Sequence, residues 1–141
     1  MNMPHDADWE NELLRAIQKL ARRSRNRRGV EIGDSLLAVL FHIDFHPGVS
    51  PTELATREHV TPPAMNKTLN ALAAQGLVTR APDASDARRV TIEITDAGRV
   101  LLAETRRLRA EWFHEHLGVL TEAEIAALDA ALPALRKLAD Q

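Results

Sequence analysis

Two helix starts in close succession constrain this chain more than any other feature. Ser50 precedes Pro51, and Glu53 stands three positions after Ser50. That is a capping box with proline in the first helical turn, where its missing N–H costs nothing. A short helix is expected from Pro51 to about Arg57, with Leu54 and Ala55 facing inward. After Glu58-His59-Val60, Thr61 caps and Pro62 opens a second helix running to about Gln75. Ala64, Met65, Leu69, Leu72 and Ala73 recur at helical spacing on one face of it. Asn66, Lys67 and Asn70 lie opposite, and Gly76 stops it where a left-handed residue is wanted.

The flanking segments complete the pattern. Asp8 to Arg28 reads as a helix, with Trp9, Leu13, Ala16, Ile17 and Leu20 at helical spacing and a basic second half (Lys19, Arg22, Arg23, Arg25, Arg27, Arg28). Those cations suit a solvated helix C-terminus, where clustered arginines are common, and a phosphate contact is the functional alternative. Gly29 to Gly33 is a break. Ser35 to about Phe45 is apolar all round, so it should be buried, and His46-Pro47-Gly48 ends it. Leu77 to Ala81 and Val90 to Thr95 read as two strands joined by a polar turn, Pro82 to Arg89. Thr95 or Asp96 caps a long helix, Ala97 to about Leu117. Thr121 with Glu124 caps a last one to about Leu138.

Composition sets the outer limits. The 141 residues are 45% hydrophobic and 27% charged, the balance of one ordinary globular domain. No run approaches a membrane span, and Met1 to Trp9 lacks the apolar core of a signal peptide, so a cytoplasmic location is expected. There is no cysteine, which excludes disulfides and thiolate metal sites. No phosphate-binding glycine loop, nucleophile elbow or zinc-protease spacing occurs, so an enzyme is not expected. The net charge of -2 does not mark a nucleic-acid binder. Between Gly33 and Thr95 five Lys/Arg face seven Asp/Glu, so a basic face would have to be local.

Short helix, turn, amphipathic helix and arginine-bearing hairpin together form an arrangement suited to duplex DNA. Asn pairs bidentately with adenine in the major groove, and Lys reaches guanine or phosphate. The first helix braces the second and offers amides near Ser50 and Thr52 to a phosphate. A hairpin arginine suits a narrow minor groove, and Asp86 could hold the Arg88 guanidinium in a fixed fork. Each piece alone also fits an ordinary polar surface; the order of the pieces carries the reading.

Gly76-Leu77-Val78-Thr79-Arg80, Asp86-Ala87-Arg88-Arg89 and Ile94-Thr95-Asp96-Ala97-Gly98 together resemble the MarR family of regulators, with Ile94 in place of the usual leucine. The resemblance covers nearly the whole chain. It implies a mainly α fold with a small β-hairpin wing: a winged helix-turn-helix over 33–95 and a helical dimerisation part over 8–30 and 97–139, within a single domain of 1–141. It implies a homodimer that binds double-stranded, pseudo-palindromic operator DNA, with a repressor as the expected sense. By position it implies Thr61, Pro62, Pro63, Asn66, Lys67 and Asn70 as recognition residues and Asp86, Arg88 and Arg89 as wing residues. The double proline departs from the small hydroxyl residues common there, which leaves base preference at the helix start open. The sequence is compatible with a dimer. Val100, Leu101, Leu108, Trp112 and Leu117 on one helix, with Ile125, Leu128, Leu132, Leu135 and Leu138 on the next, exceed what one winged domain buries.

Similar regulators often release DNA when a small aromatic effector binds. The corresponding lining would be Trp9, Leu13, Phe41, His42, Phe45, Trp112 and Phe113, although aromatic residues at helical spacing more often form plain core and dimer packing. His42 and His46 stand four apart on a helix, whereas His114 and His116 stand two apart and cannot face the same way. No metal or cofactor is therefore expected. The alternative function is a winged-helix protein-interaction module without DNA binding; its wing would more often expose apolar side chains than Arg88 and Arg89.

Overall fold

The computed structural model describes residues 6–25 and 32–140. Arg27, Arg28 and most of the 29–33 break therefore lie outside the described residues. The elements run α1 (Ala7–Arg25), α2 (Asp34–Phe45), α3 (Pro51–Arg57), α4 (Pro62–Ala74), β1 (Val78–Pro82), β2 (Val90–Ile94), α5 (Asp96–Leu117) and α6 (Glu122–Ala139). The fold is mostly helical, with one two-stranded antiparallel hairpin and the winged helix-turn-helix order.

The starts and stops follow local chemistry. The Ser50 hydroxyl accepts from the Glu53 amide at 3.2 Å, while the Ser50 amide donates to Glu53 Oε2 at 3.1 Å. The Thr61 hydroxyl accepts from the Ala64 amide at 3.3 Å, and Thr121 with Glu124 closes a second capping box. Gly76 ends α4 at φ 72°, a conformation that only glycine adopts freely. Thr95 rather than Asp96 caps α5: its hydroxyl accepts from the Gly98 amide at 3.1 Å and donates to the Gly76 carbonyl at 2.6 Å. Gly98 is required by space. A Cβ there would lie 2.5 Å from the Leu77 carbonyl oxygen and 2.6 Å from Ile94 Cγ1. The Thr-x-x-Gly motif thus joins α5 to the end of α4 and to the hairpin.

The chain divides into two compact units, Arg25–Arg106 and the residues up to Ser24 with those from Arg107 onward; the division falls within α5. The first unit holds one core: Leu37, Leu40 and Ile43 of α2, Leu54 of α3, Met65, Leu69 and Leu72 of α4, Val78 and Ile92 of the hairpin, and Leu102 of α5. The strands pair from Val78 opposite Ile94 to Pro82 opposite Val90, and the Ile92 amide donates to the Val49 carbonyl at 2.9 Å, tying the hairpin to the α2–α3 loop. In the second unit neither α1 nor α6 has a buried residue.

Three expectations about side chains are corrected. Phe45 is 68% exposed, because it is the last residue of α2 and lies past the core. Ala64 is exposed in the first turn of α4, ahead of the buried Met65. Trp112, read as surplus surface, is only 6% exposed; the His116 ring stacks on it with centroids 4.0 Å apart.

Candidate nucleic-acid interface

Helix α4 buries Met65, Leu69 and Leu72 and thereby turns Pro62, Asn66 and Asn70 outward in a row at i, i+4 and i+8. Thr61, Pro63 and Lys67 are exposed beside that row. The bracing helix α3 exposes Thr52, but Ser50 is only 8% exposed and its hydroxyl and amide are both engaged with Glu53. The turn between α3 and α4 is tightened by His59 at φ 54°.

At the wing, two adjacent arginines have opposite fates. Arg88 extends into solvent, its side chain 92% exposed. Asp86 Oδ1 accepts from its Nε at 3.2 Å and from its backbone amide at 3.1 Å. The contact is thus a brace at the base of the guanidinium through one nitrogen, not a two-pronged fork, and the tip stays open. Arg89 instead turns back to α3: its Nη2 donates to Glu53 Oε1, and its Nε lies 3.9 Å from Asp83. The wing turn is ordered by Asp83, which accepts from the Ser85 amide and hydroxyl at 2.8 and 2.7 Å.

These contacts favour the ionised forms of two carboxyl groups. The Ser50 amide and then the Arg89 guanidinium hold the Glu53 carboxyl below its ordinary value. The Ser85 hydroxyl and amide do the same for Asp83. Glu53 therefore serves two elements, capping α3 and holding the wing.

Sequence reasoning passed over Arg80 as a site residue. Its Nη1 donates to Asn70 Oδ1 at 2.9 Å. The signal was present in the strand period: Arg80 lies two residues after the buried Val78, hence on the face of β1 turned toward α4.

The seven residues expected around an aromatic effector divide between the two units. Phe41, His42 and Phe45 belong to the winged unit, where the Arg106 guanidinium lies 5.1 Å from the Phe41 ring centre and 5.9 Å from that of Phe45. Asp44 holds that guanidinium at 3.0 Å. His42 Nδ1 lies 2.5 Å from Glu58 Oε1, close but not aligned as a hydrogen bond. Trp9, Leu13, Trp112 and Phe113 belong to the other unit, where Trp112 meets Phe113 edge to face at 5.8 Å. A separate cleft of about 360 Å³ in the winged unit is lined by Ile32, Gln75, Leu77, Ala97, Val100, Leu101 and Glu104, and none of the seven borders it. Among the described residues no three His, Asp or Glu side chains converge as a metal site, and no helix is long and apolar enough to cross a membrane.

Comparison with known proteins places this geometry. The pattern of the MarR family matches residues 35–89, which run from α2 to the end of the turn between β1 and β2. An HTH-type transcriptional regulator of Mycobacterium bovis is 33% identical over 137 residues, 96% of each chain. The HTH-type transcriptional repressor YetL of Bacillus subtilis is 37% identical over 78 residues, 55% of this chain and 46% of that one. A putative transcriptional regulator of Pseudomonas aeruginosa, known from its crystal structure, superposes with a TM-score of 0.85 at 31% identity over 99% of both chains. The chain belongs to the MarR family of winged helix-turn-helix transcriptional regulators, and it is a regulator rather than an enzyme.

Proposed function

We propose that this protein represses transcription by binding a pseudo-palindromic operator as a homodimer. The observation that carries the reading is the outward row Pro62, Asn66 and Asn70, flanked by Lys67, in the same compact unit as a wing whose Arg88 is 92% exposed. Helix α4 would enter the major groove, with Asn66 and Lys67 on base edges, and Arg88 would reach the minor groove beside it. Thr61 and Thr52 stand where they could meet the flanking backbone. Arg89 would serve the wing through Glu53 rather than the DNA. The repressor sense is supported by the likeness to the repressor YetL over 78 residues. The homodimer is supported by the apolar faces of α1 and α6, and two recognition helices about 34 Å apart would read half-sites one helical turn apart.

The test is retention of sheared source DNA by the purified protein at near-physiological salt, followed by sequencing. Enrichment of a short inverted repeat is the expected result. A folded, dimeric protein that enriches nothing would overturn the operator reading and favour a wing that meets protein. On the recovered operator, Asn66→Ala should cost about 1–3 kcal/mol at specific sites and little on random DNA. Equal losses on both would remove Asn66 from base reading. A small aromatic effector is the remaining part of the reading, supported within the winged unit by Phe41 and Phe45 beside the Arg106 guanidinium. Phenolic acids that neither weaken operator binding nor raise the melting temperature would dismiss it.

A further inference from the structure

We propose that Arg80 is a positioning residue of the DNA-reading face, which clasps the Asn70 amide so that the pair presents only N–H donors to the nucleic acid. The inference rests on the DNA-binding reading above and deepens it.

Asn70 is the third member of the outward row on α4, and Arg80 Nη1 donates to its Oδ1 at 2.9 Å. The amide orientation follows from chemistry. A guanidinium has five donors and no acceptor, so the Asn70 oxygen must face it and the NH₂ group must face away. Pairing with adenine needs both halves of the amide, the oxygen to accept from N6 and the nitrogen to donate to N7. Here the oxygen is engaged. A base amino group approaching its second lone pair would also meet a cation at hydrogen-bond distance. What remains outward is Asn70 Nδ2 with the other guanidinium hydrogens of Arg80. That set fits acceptors: guanine O6 and N7, or phosphate oxygens. Asn66, one turn earlier, has no such partner among the described residues, which leaves both halves of its amide for adenine.

Three substitutions separate the clasp from two solvated side chains that merely lie side by side. Asn70→Asp keeps an acceptor for Arg80 and loses the outward donors. Asn70→Ala loses both, and Arg80→Ala frees the oxygen. Each is measured on the recovered operator and on all its single base-pair variants, at two salt concentrations. Asn70→Ala and Arg80→Ala should each weaken binding about tenfold, the size of one hydrogen bond. Asn70→Asp should melt with the wild type yet bind no better than Asn70→Ala. If the acceptor is guanine, one G·C position becomes tolerant of change in Asn70→Ala. If it is phosphate, all sites weaken alike and the salt dependence falls. Loss of a tenfold preference for an A·T pair in Asn70→Ala would overturn the proposal, as would wild-type affinity and base profile in Arg80→Ala.

The clasp is also tested without DNA. In urea unfolding, the double variant Asn70→Ala/Arg80→Ala should be no less stable than the weaker single variant. Losses that simply add would overturn the clasp. Failure of the wild type to bind any operator, with this coupling intact, would instead count against the DNA-binding reading.

Discussion

The two compact units are both built largely from helices and end in different physical states. The winged unit closes on itself: Leu40, Leu54, Leu69, Leu72, Ile92 and Leu102 are fully buried, and the hairpin seals the edge of the core. The helical unit does not. Of fourteen large apolar side chains left exposed among the described residues, ten belong to it, from Trp9, Leu14, Ile17 and Leu20 on α1 to Ile125, Leu128, Leu132 and Leu138 on α6. Helical periodicity alone cannot tell these cases apart, because it says which side chains share a face and not whether the chain supplies a cover. The closest packing between elements joins α2, α3, α4 and the hairpin, with Leu102 of α5 in the same core. An apolar stripe without such neighbours marks the surface that the proposed homodimer covers.

Substitutions can sharpen or break this contrast. The largest effect is expected in the closed core. Leu69→Ala should destabilise the winged unit by about 2–5 kcal/mol, the range for a buried leucine whose site cannot collapse. Denaturant unfolding checks it, and a loss below about 1 kcal/mol would mean the core is looser than its burial implies. Next comes the joint between hairpin and α5. Gly98→Ala forces a methyl against the Leu77 carbonyl and Ile94, an overpacking cost of about 1–3 kcal/mol, read as a lower melting temperature. On the open side, Leu128→Asp should leave the helix content of the winged unit unchanged and weaken self-association. Sedimentation at micromolar concentration checks it, and an unchanged dimer would move the interface off α6.

The smallest effect is expected from acid. The folded-state values of Glu53 and Asp83 are both lowered, so their ionised forms favour the folded state. Their contribution is complete above the ordinary glutamate value of 4.5 and is lost as pH falls through the lower folded values. Glu53 is exposed and Asp83 half-buried at the surface, where solvent screens both contacts, so the loss is small. It should show first as loosening of the wing, read by amide exchange at Arg89 and Val90, and Glu53→Gln should flatten that response.

The two wing arginines differ in how far their partners lie along the chain. Arg88 and Arg89 are equivalent as sequence, a basic pair at a turn. Asp86 two residues before Arg88 signalled a brace, and the structure places one through Nε. Nothing local to Arg89 signalled Glu53, because that partner lies 36 positions away. Arg80 shows the same limit in milder form. Its strand period aimed it toward α4, but only the packing of β1 beside α4 put Asn70 within reach.

What the sequence determined by itself is therefore the set of elements and their ends. Ser50 with Glu53, Thr61 with Pro62, Thr121 with Glu124, and Gly76 each act on backbone groups within three or four residues, so their meaning survives without a fold. The outward row on α4 followed in the same way from the inward one. The tertiary structure decided which polar groups are spent on one another: Glu53 on Arg89, Asn70 on Arg80, Asp44 on Arg106 over two phenylalanines. The physical reason is range. Caps and periodicities are written in neighbouring residues, whereas an ion pair between distant residues exists only once a buried core has brought their backbones together.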